Sequence, residues 1–156
     1  MPTTARKRSS EIPPLSRRCF VAGATVLLGM RLQAAVKDSP HARLALLASA
    51  LTAGNPVAAM ECFSSTAADF GRIETYIDAL TSQTDVSCVI ETVMESGEDP
   101  QRTLETDWLM QLTARTAQTA SERRRLRVVV ELHLEKNQWA ILSITPLNIL
   151  FPIQIG

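Results

Sequence analysis

Six glycines, three cysteines and two histidines are few for a chain of 156 residues, and each shortage closes off a chemistry. The glycines are scattered, so no glycine-rich loop is set up to cradle a phosphate. His41 and His133 are far apart, and no C-x-x-C or H-x-x-x-H spacing occurs, so no metal ligand set is legible. No G-x-S-x-G nucleophile elbow is present. Aromatic residues make up 4% of the chain, too few to interleave with cations as stacking platforms for bases. The longest apolar run, Phe20 to Met30, is about half of the roughly 20 residues that a stable membrane-spanning helix requires. Net charge is missing too: 16 Lys and Arg balance 16 Asp and Glu.

That balance is a sum of two unlike parts. Residues 1–35 carry six cations (Arg6, Lys7, Arg8, Arg17, Arg18, Arg31) against the single anion Glu11, a net +5. Residues 36–156 carry ten cations and fifteen anions, a net −5. A basic stretch, a short apolar run and the small residues Ala34 and Ala35 follow one another in the order of a secretory signal. The junction Ser16-Arg17-Arg18-Cys19-Phe20 resembles a twin-arginine signal, with the arginine pair set against the apolar run. Gly23, Ala24, Thr25 and Gly29 keep that run mildly hydrophobic. The resemblance implies a bacterial protein that meets the twin-arginine export machinery and works in the periplasm or outside the cell. It touches the membrane only through this segment. Cleavage is expected near Ala35, although Leu32-Gln33-Ala34 and Gln33-Ala34-Ala35 are both weak sites. The sequence thus divides into a signal, 1–35, and a folded domain, 36–156. Export would put Cys62 and Cys88 in an oxidising compartment, where a disulfide and two lone buried thiols are both compatible with the sequence.

The domain reads as helices, then strands. Ser39-Pro40 opens a helix with Leu44, Leu47 and Leu51 at helical spacing, and Gly54 stops it. Asn55-Pro56 repeats the start signal for a short helix whose inner face is expected to hold Val57, Met60 and Phe63. Thr66 with Asp69 forms a capping-box variant before Phe70, Ile73, Ile77 and Leu80, a stripe that Tyr76 flanks. From Ser82 on, the apolar period changes to two. Val86, Cys88, Ile90 and Met94 form the inner set of the first strand, and Leu104, Thr106, Trp108, Met110 and Leu112 that of the second. Leu126 to Leu134 and Trp139 to Ile144 supply two more. The fold class is α+β, with three N-terminal helices packed on a curved four-stranded antiparallel sheet. The opposite strand set, which includes Val89, Glu91, Val93, Asp107, Leu109, Arg127 and His133, is half apolar and half charged. Such a face meets water or a second subunit.

The stretch Ala50 to Phe63, with Leu51-Thr52-Ala53-Gly54-Asn55 at its break, resembles the helix-break-helix of the SnoaL-like, nuclear-transport-factor-like domains. Trp139-Ala140-Ile141-Leu142-Ser143-Ile144 resembles their closing strand. The resemblance spans roughly 38–150 and implies a cone whose sheet wraps a long helix, often with a pocket at the open end and with dimers through the outer face. A short strand usual in that family between the second and third helices has little room here, between Ser64 and Asp69.

Enzymes of such a family keep an acid or base, often with a tyrosine, inside the pocket. Alternation puts Glu105, Asp107 and His133 on the outer face, and His41 falls in an exposed first helical turn, which leaves only Tyr76 with a route inward. The expectation is therefore a non-catalytic, cofactor-free domain that binds an apolar small molecule or a protein partner, as a dimer. Bulk and inward period select Met60, Phe63, Tyr76, Trp108 and Trp139 as pocket residues, each with plain core as its alternative. The competing reading is a cofactor-independent isomerase or hydrolase using Tyr76 and Asp107. The basic run Arg123 to Arg127 is read as a solvated, charge-blunted strand rather than a nucleic-acid contact, since the domain is acidic overall. The apolar tail Leu147 to Ile155 either tucks across the cone's mouth or packs on a partner.

Overall fold

Two proline-headed starts set the helical half. The computed structural model describes residues 38–116 and 120–154, so the signal residues Ser16, Arg17, Arg18 and Phe20 lie outside the described residues. Helix α1 (Pro40–Thr52) begins where Ser39 Oγ accepts the Ala42 N–H at 3.0 Å. Gly54, at φ 64°, reverses the chain, and the Asn55 N–H reaches back to Ala50 O at 2.9 Å. Asn55 Oδ1 then accepts the Ala58 N–H at 3.0 Å and caps α2 (Pro56–Met60). Here one expectation is corrected. Val57 is 69% exposed, because a five-residue helix buries only one position, and that position is Ala59.

Helix α3 (Phe70–Gln83) buries Ile73, Ile77 and Leu80 completely. Its expected capping box is absent. Asp69 makes no cap bond and instead pairs with Arg72 at 2.9 Å. The Thr66 hydroxyl is 2.8 Å from Ser64 Oγ, which donates at 2.5 Å to Glu135, so tertiary bonds take the groups that a cap would use. The helix runs into strand β1 without a loop: Thr84 gives both its N–H and its hydroxyl to Leu80 O, and the Thr81 hydroxyl donates to Ile77 O at 2.8 Å.

Strands β1 (Thr84–Ser96), β2 (Gln101–Ala114), β3 (Ser121–Glu135) and β4 (Gln138–Thr145) form one antiparallel sheet in sequence order. Lys136 and Asn137, with φ of 47° and 66°, make the two-residue turn from β3 to β4, whose twist suits a hairpin. A bulge between Thr92 and Met94 bends β1 and pairs Met94 with Glu105 rather than with an inner position. Met94, expected inside, is therefore 55% exposed, and Glu95 takes the place opposite Leu104. The segment after α2 joins the sheet through one bridge. Phe63 pairs parallel to Ile141, with Ser64 N–H donating to Ile141 O and Ile141 N–H to Cys62 O, both at 2.9 Å. The inner face of the sheet and the helices share one core that includes Leu47, Ile73, Leu104, Trp108, Met110, Leu132 and Ile141. Among the described residues no helix is long and apolar enough to cross a membrane.

Candidate functional site

Inside the fold, the expected pocket residues are packed. Trp108 is fully buried, and its indole N–H donates to Thr106 Oγ1 at 2.8 Å; that hydroxyl in turn donates to Val128 O at 2.8 Å. Phe63 and Trp139 are buried in the same core, and the Trp139 N–H is taken by Asp38 at 2.6 Å. Met60 is half-buried beside a shallow surface groove that it shares with Val57 and Glu74. Tyr76 is half-buried and stacks on Phe151, ring centroids 4.7 Å apart and tilted by 52°. The structure gathers Phe63, Trp108 and Trp139 into the core and leaves Met60 and Tyr76 at its margin.

Nor does it bring Tyr76 and Asp107 together. Asp107 lies on the outer face, where Arg127 donates to it at 2.7 Å and Arg125 stands 3.6 Å away. The Arg127 hydrogen bond holds its carboxyl below the usual carboxylate range. A general base works best with a pKa near the operating pH, so this shift moves Asp107 away from that role. His41 and His133 sit at the surface, 3.6 Å from Glu95 and Glu135 respectively. Among the described residues no three His, Cys, Asp or Glu side chains are grouped to hold a metal ion.

The thiols are free and buried, and no disulfide joins them. Cys62 Sγ donates to Ala58 O at 3.6 Å, while Cys88 lies on β1 under α1, its N–H held by Thr52 Oγ1 at 3.1 Å. Burial pushes the Cys88 thiol up to about 12 and raises Cys62 as well, with Arg43 pulling the latter back. Both are expected to stay unalkylated in the native protein at pH 8, mapped by mass spectrometry; rapid labelling of either would contradict this packing. The unfolded chain ionises near 8.5. The stability that Cys88 contributes is thus whole below that value and is lost as pH rises toward about 12.

The outer face holds what the interior does not. Val89 and Leu109 are cross-strand partners, 48% and 50% exposed, with Val93 nearby at 50%. Around them stand Glu91, Glu105, Asp107, Arg125 and Arg127, with Arg127 also 3.8 Å from Glu105. Val89 and Leu109 line two shallow depressions of about 200 Å³ each. Strand alternation made this face legible.

Arg124 was hidden by its neighbours. It points inward opposite Met110, only 14% of its side chain exposed, although the basic run reads as wholly solvated. Its guanidinium grips Glu122 at 2.6 and 3.0 Å and donates to Ile149 O at 3.1 Å, Pro152 O at 3.4 Å and Phe151 O. The grip holds Glu122 below its usual range. The apolar tail therefore tucks inward: a short 3₁₀ helix, Leu147–Leu150, buries Ile149 and Leu150, and Phe151 then closes on Tyr76. An even-numbered position inside an alternating strand was the one available signal for Arg124.

No protein-family model matches the chain, and no curated protein matches it in sequence. Solved structures do share its shape. A ketosteroid isomerase-like protein from Erwinia carotovora atroseptica superposes with a TM-score of 0.57 at 6% identity, over 67% of this chain and 88% of that one. A provisionally assigned scytalone dehydratase from Novosphingobium aromaticivorans gives 0.60 at 8%, over 67% and 77%. A protein of unknown function with a cystatin-like fold from Nostoc punctiforme gives 0.53 at 11%, over 67% and 84%. At such identities the likeness establishes the fold alone: an α+β domain of the SnoaL-like, nuclear-transport-factor-like type, with a four-stranded antiparallel sheet.

Proposed function

We propose that this chain is an exported, non-catalytic SnoaL-like domain that acts by binding protein, beginning with a second copy of itself across the outer sheet face. The observation that carries the reading is the exposed Val89–Leu109 pair within a ring of both charges, outside an inner face packed around Trp108. Burying an exposed cross-strand apolar pair is favourable at about 25 cal/mol per Å². A two-fold contact suits a ring of mixed sign, because each carboxylate can face the partner's arginine. Size supports it too. Four strands about 4.8 Å apart, paired over some 10 residues, present roughly 600 Å² per protomer, or about 1,200 Å² in total, the low end of stable interfaces. The packed interior favours the protein partner over the apolar small molecule. The isomerase or hydrolase reading needs Tyr76 and Asp107 in one site, and no contact supports that.

Val89→Glu with Leu109→Glu is expected to weaken self-association at least 100-fold while leaving the circular dichroism unchanged, read by light scattering on a dilution series. An unchanged dimer would sink the outer-face assignment. Export is tested separately. Arg17→Lys with Arg18→Lys is expected to hold the protein in the cytoplasm of a bacterial host, followed by fractionation and blotting; equal export of the variant would refute the twin-arginine reading.

A further inference from the structure

Sheet edges are templates for new strands, because alternate residues present unpaired N–H and C=O groups. Two places on this sheet's boundary are bonded by neighbouring segments. The Phe63 segment bonds to the outer side of β4, and Thr52 takes the Cys88 N–H on β1. Strand β3 is different. It pairs with β2 from Ser121 onward, but β4 pairs with it only over Val129–Glu135. After Thr145 the chain leaves the sheet for the 3₁₀ helix, so among the described residues β3 has no strand partner on its β4 side from Ser121 to Val128. That free edge is about 26 Å long at 3.3 Å per residue.

A groove of about 480 Å³ lies along it. One wall is the strand itself, residues 122–126; the other is the tail, with Asn148, Phe151 and Pro152. Arg123 and Arg125 flank the strand. Among the described residues Arg123 has no ion-pair partner, and Arg125, its side chain 76% exposed, has only the 3.6 Å approach to Asp107. Arg124 is committed to Glu122 and the tail, which fixes the second wall in place.

We infer that this edge takes up an extended, acidic peptide segment of another protein as a fifth strand, by strand addition. The backbone edge supplies affinity and register, and the arginines supply the sign of the partner. The same charges reject a second copy: pairing β3 to β3 would set arginine runs against each other, and like charges directly opposite destabilise a strand pair. A free small anion would use the guanidiniums but not the backbone, which makes the two separable.

The test uses the full chain and three labelled peptides followed by fluorescence anisotropy. They are the blocked octapeptide (Val-Glu)4, its counterpart (Val-Lys)4, and (Val-Glu)4 N-methylated at alternate residues. (Val-Glu)4 is expected to bind at least tenfold tighter than (Val-Lys)4, with the gap narrowing as salt screens it. N-methylation should cost at least tenfold, and bound (Val-Glu)4 should slow amide exchange over residues 121–128. Arg123→Glu with Arg125→Glu should reverse the preference between acidic and basic peptides, and Arg123→Gln with Arg125→Gln should abolish it. Equal binding of (Val-Glu)4 and (Val-Lys)4 would overturn the inference. So would undiminished binding of the N-methylated peptide, which would mean that any anion suffices. Protection of the residue 121–128 amides from exchange on self-association alone, with no peptide present, would place a second copy on this edge and would overturn it equally.

Discussion

Trp108→Ala is expected to lower the unfolding free energy by about 3–5 kcal/mol, the range for deleting a large aromatic from a packed core. Three features put the effect at that size. The side chain is fully buried, it stands mid-strand in β2 between Ile90 of β1 and Leu126 of β3, and its N–H is satisfied internally. Deleting it also returns Thr106 Oγ1 to a single bond, the one it donates to Val128 O. Trp108→Phe keeps much of the volume and loses only the indole hydrogen bond and a rim of packing, so about 1–2 kcal/mol is expected. Urea denaturation measures both. A Trp108→Ala cost below 1 kcal/mol would mean that Trp108 lines space rather than fills it, and would reopen the pocket.

Arg124→Ala is the second large effect, about 2–3 kcal/mol, because one half-buried guanidinium serves four acceptor residues. Its loss strands the carbonyls of Ile149, Phe151 and Pro152 and frees the tail from β3. Amide exchange over residues 149–154 should speed up at least tenfold, and the Tyr76–Phe151 contact should loosen with it. Arg124→Lys keeps the charge but cannot fork between Glu122 and the tail, so it should recover less than half of the loss. The pH dependence has a definite sign. Glu122 is depressed by Arg124, so the stability it contributes is present above the unfolded value near 4.3 and is lost as pH falls through the lower folded value. In Arg124→Ala that acid-sensitive share should vanish. An unaltered acid limb would show that the pair contributes nothing to the fold.

How far the sequence reaches depends on how local the deciding contact is. Ser39-Pro40, Gly54 and Asn55-Pro56 act within four residues of themselves, and each is where the pattern puts it. Strand alternation carries Trp108 inward and Asp107 outward for the same reason. The corrections share the opposite property. Met94 turns outward because a bulge adds a residue, which alternation cannot foresee. Thr66 fails to cap α3 because Ser64 and Glu135, the latter far along the chain, claim that region's hydroxyls. Arg124 disappears among neighbouring arginines until the tail returns to meet it. The pocket reading of Met60, Phe63, Tyr76, Trp108 and Trp139 rested on bulk and period, and bulk and period also describe a core.

Self-association of the unmodified chain tests the central claim most directly. Sedimentation equilibrium over a wide concentration range is expected to give twice the 17.1 kDa protomer mass, with dissociation only on dilution. A single protomer mass at the highest concentration would contradict the account, because Val89 and Leu109 would then face water.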